Sequence, residues 1–224
     1  MKTSTRGVGK EFEVSVLPKT LPKLQLHHGE ALWVLSQLGF QGGADTATFY
    51  AYIRSLIHLG TPFEHGNDGL KRHGLANYSY DHLMELALAL TLRVYQNLPN
   101  AILTGIVRYR QTLYRCYRRA YNERMSGLGA PIKVQAAGAE PLTLRGAFLD
   151  LRIDSSGPEL LAFGPPRLLS PKNALSVSVE RETAARSLLP INLSILSERL
   201  VSTALQAPPI RRGPRPASGT LRRC

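Results

Sequence analysis

The stretch DTATFYAYIRSLIHLGTP, Asp45 to Pro62, is bounded at both ends by residues that start and stop a helix. Asp45 or Thr46 can cap the first turn, and Gly60-Thr61-Pro62 ends the run because glycine and proline do not continue it. Between them Phe49, Ile53, Leu56 and Ile57 recur at helical spacing and define a buried side. Tyr50, Arg54, Ser55 and His58 fall on the other side, a polar face of the kind that meets a partner.

Before this helix, Ala31, Leu32, Leu35 and Leu38 mark an apolar face over Gly29 to Leu38, and the glycines between Gly39 and Gly43 close it. After it, Glu64 to Gly74 is a polar, glycine-rich excursion carrying Lys71, Arg72 and His73. Ser79 then serves as the N-cap of a third helix, whose face is Leu83, Leu86, Ala87, Leu90 and Val94. Asn97-Leu98-Pro99 interrupts the pattern and opens a fourth segment, Ala101 to Arg124, expected as one helix. On a wheel of about 100° per residue, Ile102, Ile106, Tyr109, Leu113, Cys116 and Ala120 form its packed stripe. Arg108, Arg115 and Arg119 fall on one flank, and Arg110, Tyr114, Arg118 and Tyr121 on the other.

Charge singles out the same segment. The chain of 224 residues has a net charge of +12, and of its 28 basic residues 21 are arginine. Residues 1–100 are nearly balanced, with nine basic against eight acidic side chains. Residues 101–124 carry six arginines against Glu123, and the tail 207–224 carries five with no acid. Clustered guanidinium groups suit phosphate oxygens and release condensed counterions together, so a polyanion is the expected partner. Tyrosines interleaved with them add hydrogen bonding or stacking. A solvated helix whose arginines pair with acids of the second half is the competing reading of these residues.

Past Arg124, Ser126 to Pro131 is linker-like and the following residues are strand-prone. Ala147, Leu149, Leu151 and Ile153 alternate as a strand does, Asp154 to Pro158 supplies a turn, and Leu160 to Phe163 returns. A last helix is expected over Pro190 to Leu205, with Leu193, Leu196, Leu200 and Ala204 inward. Gly164-Pro165-Pro166-Arg167 and Ser170-Pro171 read as loops, and Phe12, Val14 and Val16 as a short strand near the N-terminus. The Arg211 to Pro216 tail, rich in Pro, Gly and Arg, is expected to be disordered and to attract phosphate nonspecifically.

Between Gly29 and about Leu103 the order of elements resembles the winged helix-turn-helix domain of MerR-type transcription regulators. Gly29-Glu30 opens the first helix, Arg54 lies six residues before Gly60, and Tyr78-Ser79-Tyr80-Asp81-His82-Leu83 matches the segment that follows the family's wing. Ser55 and Leu56 stand where the family has two aromatics, and Ala76-Asn77 where it has an arginine before the wing-exit tyrosine. The resemblance implies that the helix Thr46 to Leu59 enters the major groove, with Thr48, Tyr50, Ala51, Arg54 and Ser55 as base or phosphate contacts. It also implies that Lys71, Arg72 and His73 on the wing grip the adjacent backbone.

The expected architecture is mainly α with a small β portion. An N-terminal extension (1–28) precedes a winged helix-turn-helix-like domain that ends in the Arg/Tyr-rich connecting helix (29–125). A small α+β region (126–206) and the basic tail (207–224) follow. The expected function is non-enzymatic regulation through double-stranded DNA, bound by a homodimer with Arg108, Arg110, Arg115, Arg118 and Arg119 supplying phosphate contacts. An acidic protein partner or RNA are the other partners consistent with the residues. There is no phosphate-binding glycine loop with Lys and Ser/Thr, no Gly-x-Ser-x-Gly elbow and no carboxylate cluster, so neither catalysis nor a cofactor is expected. Six histidines and two cysteines show no metal-ligand spacing, so no metal is expected. The polar N-terminus and the lack of a long apolar run point to a cytoplasmic protein without a membrane partner.

Overall fold

A computed structural model describes residues 17–63, 77–95, 98–127, 131–134, 142–151, 153–154, 162–182 and 190–209. The expected strand at Phe12 to Val16, the wing residues Lys71, Arg72 and His73, the turn after Asp154 and the arginines of the tail lie outside the described residues. Within them the chain is mainly helical with small antiparallel sheets. No helix among them is long and apolar enough to cross a membrane.

Helix α1 spans His28–Gln37 and buries Ala31, Leu32, Val34 and Leu35, while Glu30 reaches back to the backbone N–H of His27 at 2.8 Å. The turn to α2 passes through Gly39 and Gly42, both with positive φ. Helix α2, Thr46–His58, starts at Asp45, whose carboxylate accepts from the Thr48 N–H at 2.7 Å. That hydrogen bond, the largest influence on it, holds the Asp45 carboxyl below its ordinary pKa. Phe49, Ile53, Leu56 and Ile57 are buried, as the spacing requires.

Helix α3, Tyr80–Leu90, is buried almost all round, in keeping with its largely apolar sequence, and its buried acids Asp81 and Glu85 are ion-paired. Its start is a reciprocal cap. The Ser79 hydroxyl accepts from the His82 N–H at 3.3 Å, and His82 Nδ1 accepts from the Ser79 N–H at 3.4 Å. Only a neutral imidazole can accept there, and burial, the main cause, lowers the His82 pKa in keeping with that role. A depressed folded-state pKa means stability that is present above the unfolded value of about 6.5 and lost as pH falls through the lower folded value. Urea midpoints are therefore expected to fall between pH 7.5 and pH 5. His82→Gln keeps the capping geometry without the titration and is expected to flatten that drop; an unchanged drop would remove His82 from it.

Past Leu90 the helix widens into a π turn, Thr91–Tyr95, where the Thr91 hydroxyl donates to the Ala87 carbonyl at 2.8 Å. The wider turn breaks the 3.6-residue phase, so Val94, expected on the buried face, is 41 % exposed. The arginine segment is two helices rather than one: α4, Asn100–Arg108, and α5, Arg110–Met125. They meet at Tyr109, whose φ of −103° and ψ of 15° leave the helical region. The break shifts the two halves of the wheel against each other. Within α5, which packs against both α3 and α7, Arg110, Tyr117 and Tyr121 are buried alongside Leu113, Cys116 and Ala120.

In the second half β1 (Ile132–Val134) pairs with β2 (Leu142–Leu144), and β4 (Ile153–Asp154) pairs with β5 (Ala162–Phe163) as the expected hairpin. The largest sheet has the order β6-β3-β7, with β3 (Phe148–Asp150) between β6 (Arg167–Leu169) and β7 (Ile191–Asn192). β3 is buried on both faces, so the alternation expected around Leu149 is absent. A further helix, α6 (Pro171–Glu182), occupies a stretch expected to begin as a loop. Ser170 caps it through the Asn173 N–H at 3.3 Å, and Pro171 takes the first helical position, which it suits.

The last helix, α7 (Leu193–Leu205), packs against α1, α3 and α5 and buries Leu193, Leu200, Val201 and Ala204. One hydrophobic cluster therefore runs from Leu24 to Ala204, across the linker-like residues at 126–131. Two serines seat α7. Ser197 shares a 2.6 Å hydrogen bond with the Tyr80 hydroxyl, which also meets the Tyr117 carbonyl at 3.0 Å. Ser194 donates to the Ala120 carbonyl at 3.1 Å and accepts from the Ala147 N–H at 2.8 Å.

Candidate nucleic-acid interface

Helix α2 has its apolar side turned inward, and the stripe Ala47, Tyr50, Ala51, Arg54 and His58 faces solvent. These residues are spaced three or four apart, so they line one side of the helix along its whole length. Arg54 is exposed and has no acidic partner among the described residues. Tyr50, 43 % exposed, leans on Phe49 with ring centroids 6.2 Å apart. Small alanines beside Tyr50 and Arg54 leave the backbone approachable, which a groove-inserting helix requires.

Two residues expected to meet DNA are otherwise engaged. Thr48 belongs to the cap: its N–H and its hydroxyl both go to Asp45, at 2.7 and 3.2 Å. Ser55 is half-buried, and its oxygen accepts from Arg93 Nη1 at 2.5 Å while donating to the Tyr52 carbonyl at 2.8 Å. Immediately before α1, Leu26 forms an antiparallel bridge with Tyr78, their N–H groups and carbonyls paired at 3.0 and 2.7 Å. That bridge fastens the chain leading into α1 to the residue that leads into α3.

The arginines of residues 101–124 divide by what they touch. Arg110 is a correction to the phosphate set: it is buried and grips Glu85 with two prongs, Nε to Oε2 at 2.9 Å and Nη2 to Oε1 at 2.8 Å. The same Nη2 donates to the Gly60 carbonyl at the end of α2. Burial is the main influence on Glu85 and raises its pKa, with Arg110 pulling the other way. Arg118 is ion-paired to Asp81 of α3, Arg119 to Glu123 at 2.6 Å, and Arg124 to Glu198 of α7 at 2.6 Å. Arg108 and Arg115 are exposed and meet no acid among the described residues; Arg108 lies over the Tyr109 ring, 5.7 Å from its centroid.

These pairs differ in how readily a phosphate could replace the acid. Arg119 and its Glu123 sit at the surface, where such pairs contribute about 0–1 kcal/mol and exchange easily. Asp81 is only 10 % exposed, so pulling Arg118 away would strand a largely buried carboxylate. The order of availability to a polyanion is therefore Arg108 and Arg115, then Arg119, then Arg118, with Arg110 excluded. Sequence reasoning missed Arg93, whose partners lie on α2 and whose segment carries no motif. No group of three or more metal-ligating side chains occurs among the described residues.

Comparison with models of known protein families, with curated proteins and with solved structures returns no match.

Proposed function

We propose that this protein binds double-stranded DNA and acts as a transcription regulator, with α1 and α2 as a helix-turn-helix unit and residues 64–76 as the wing of a MerR-like arrangement. The observation that carries this reading is the open stripe of α2, Ala47 to His58, presented by a helix whose opposite side is sealed in the core. The Leu26–Tyr78 bridge supports it, since it ties the residues leading into α1 to the exit of the segment where a wing belongs. Arg54 and Tyr50 are the base-edge candidates; Arg108 and Arg115, with Lys71 and Arg72, are the phosphate candidates. One short helix reads few base pairs, so two copies on paired half-sites are the form in which this reading works.

A selection from random duplexes tests it, and recovery of a palindrome is the supporting outcome. On the recovered duplex, Arg54→Ala is expected to cost about 1–3 kcal/mol of discrimination at one position, with little change on unrelated sequence. Arg115→Ala is expected to weaken both duplexes alike and to lower the salt slope by about one. Arg110→Ala, by contrast, is outside the phosphate set. Tighter binding of single-stranded RNA or of an acidic polypeptide at physiological salt would overturn the reading in favour of those partners.

A further inference from the structure

Helix α2 is seated by the buried Phe49, Ile53, Leu56 and Ile57, and side chains from other elements hold its flank. One of them is Arg93, in the π turn Thr91–Tyr95. Its guanidinium lies over the Tyr52 ring, 4.7 Å from the centroid, and its Nη1 donates to the Ser55 hydroxyl at 2.5 Å. Tyr52 and Ser55 are one turn apart on α2, and the Ser55 hydroxyl donates in turn to the Tyr52 carbonyl. A cation on a ring fixes the distance between two elements, and a directed hydrogen bond beside it fixes rotation. Held by both, α2 cannot roll about its own axis without breaking one of them.

The π turn explains how Arg93 reaches this position. One added residue per turn changes the direction in which the following side chains leave the helix, and such single widened turns are recurrent at functional sites. In an uninterrupted α-helix, Val94 would continue the face of Leu83, Leu86, Ala87 and Leu90; here Val94 is turned out and Arg93 meets α2.

We infer that Arg93 is a positioning residue for α2: by clamping Tyr52 and Ser55 it sets the rotation of the outer stripe, and so decides which of Tyr50, Arg54 and His58 face the DNA bases. This rests on the proposed DNA-binding function for its consequence, but its structural content, a clamp on α2, is independent of any ligand. Arg93 is not a base or phosphate contact in this scheme. Its loss lowers discrimination between sequences and leaves affinity for unrelated duplex intact, the opposite of the pattern for Arg115.

The test uses the full chain with Arg93→Ala, Arg93→Lys, Tyr52→Leu and Ser55→Ala, with far-UV circular dichroism to establish that each is folded. Hydrogen exchange of the amides of residues 49–57 reads the clamp itself. Binding to the selected duplex and to a scrambled duplex of equal length reads its consequence. Arg93→Ala is expected to speed exchange in α2 about tenfold and to reduce the ratio of selected to scrambled affinity by a similar factor. Tyr52→Leu should do the same and add little on top of Arg93→Ala, because the two side chains form one contact. Arg93→Lys, which keeps a cation over the ring, should restore part of both.

Unchanged exchange in Arg93→Ala overturns the inference. Equal loss on both duplexes also overturns it, by making Arg93 a phosphate ligand. If the wild-type chain retards neither duplex, the proposed function falls, and the exchange data alone then decide whether the clamp exists.

Discussion

Replacing Glu85 with Leu is expected to destabilise the protein by about 3–5 kcal/mol, the usual cost of leaving one member of a buried ion pair without the other. Glu85 is fully buried and Arg110 nearly so, and the two are joined by a fork of hydrogen bonds at 2.8 and 2.9 Å. With the carboxylate gone, the guanidinium keeps the Gly60 carbonyl but loses the counter-charge it is forked to. Urea unfolding measures the loss directly. The double variant Glu85→Leu with Arg110→Met is expected to recover most of it, since apolar pairs of similar volume replace buried ion pairs at little cost. A single-variant loss under 1 kcal/mol would mean that water reaches the pair. Burial already pushes the Glu85 pKa up, which marks its ionised form as costly and makes the recovery plausible on physical grounds.

Gly146→Ala is expected to be the most damaging of the small substitutions. Gly146 has a φ of +87°, and a Cβ built there would lie 2.4 Å from the Ser194 Cβ and 2.6 Å from its oxygen. Ser194 cannot give way cheaply, because it is fully buried and its hydroxyl both donates to Ala120 and accepts from Ala147. The left-handed backbone costs roughly 1–2 kcal/mol and overpacking roughly 1–3 kcal/mol more. In a chain of this size the two together correspond to a melting temperature lower by on the order of 4–20 °C. Gly127→Ala is the control: φ there is +67°, but no atom lies within 4 Å, so only the backbone term applies. Equal losses at the two positions would show that the Gly146–Ser194 approach is unimportant.

The first two helices were legible in the sequence because one-sided burial imposes a 3.6-residue rhythm. Phe49, Ile53, Leu56 and Ile57 are buried where that rhythm puts them, and Asp45 and Ser79 cap where short polar side chains precede an apolar run. The inward side of α7 was readable for the same reason. A wheel, however, assumes unbroken phase. The π turn moved Val94 out, and Arg110, on the flank of its stripe, lies in the core because α3 covers that flank and offers it Glu85. Pairing was beyond reach from counting charges: Arg110 finds Glu85 25 residues away, Arg118 finds Asp81 at 37, and Arg124 finds Glu198 at 74.

Strands of two or three residues are too short to establish a period of two, so the strand-prone reading after Pro131 set no bounds for β1 and β2, and β6 begins where a loop was expected. The N-terminus of α6 was different, since Ser170-Pro171 is itself a helix-start signal and was available to be read. For the candidate interface, the polar side of α2 was visible in the residues; Thr48 was lost to the Asp45 cap, which spacing does reveal, and Ser55 to Arg93, which it does not.

The seat of α7 among α1, α3 and α5 has a bearing on biosynthesis. The first five helices leave the ribosome with the surfaces meant for Leu193, Leu200, Val201 and Ala204 still uncovered. Their native packing has to wait until α7 has emerged, an interval in which exposed apolar surface invites association with other nascent chains. A stop codon just ahead of Leu193 would therefore leave the helical core open where α7 seats, not a shortened but intact protein.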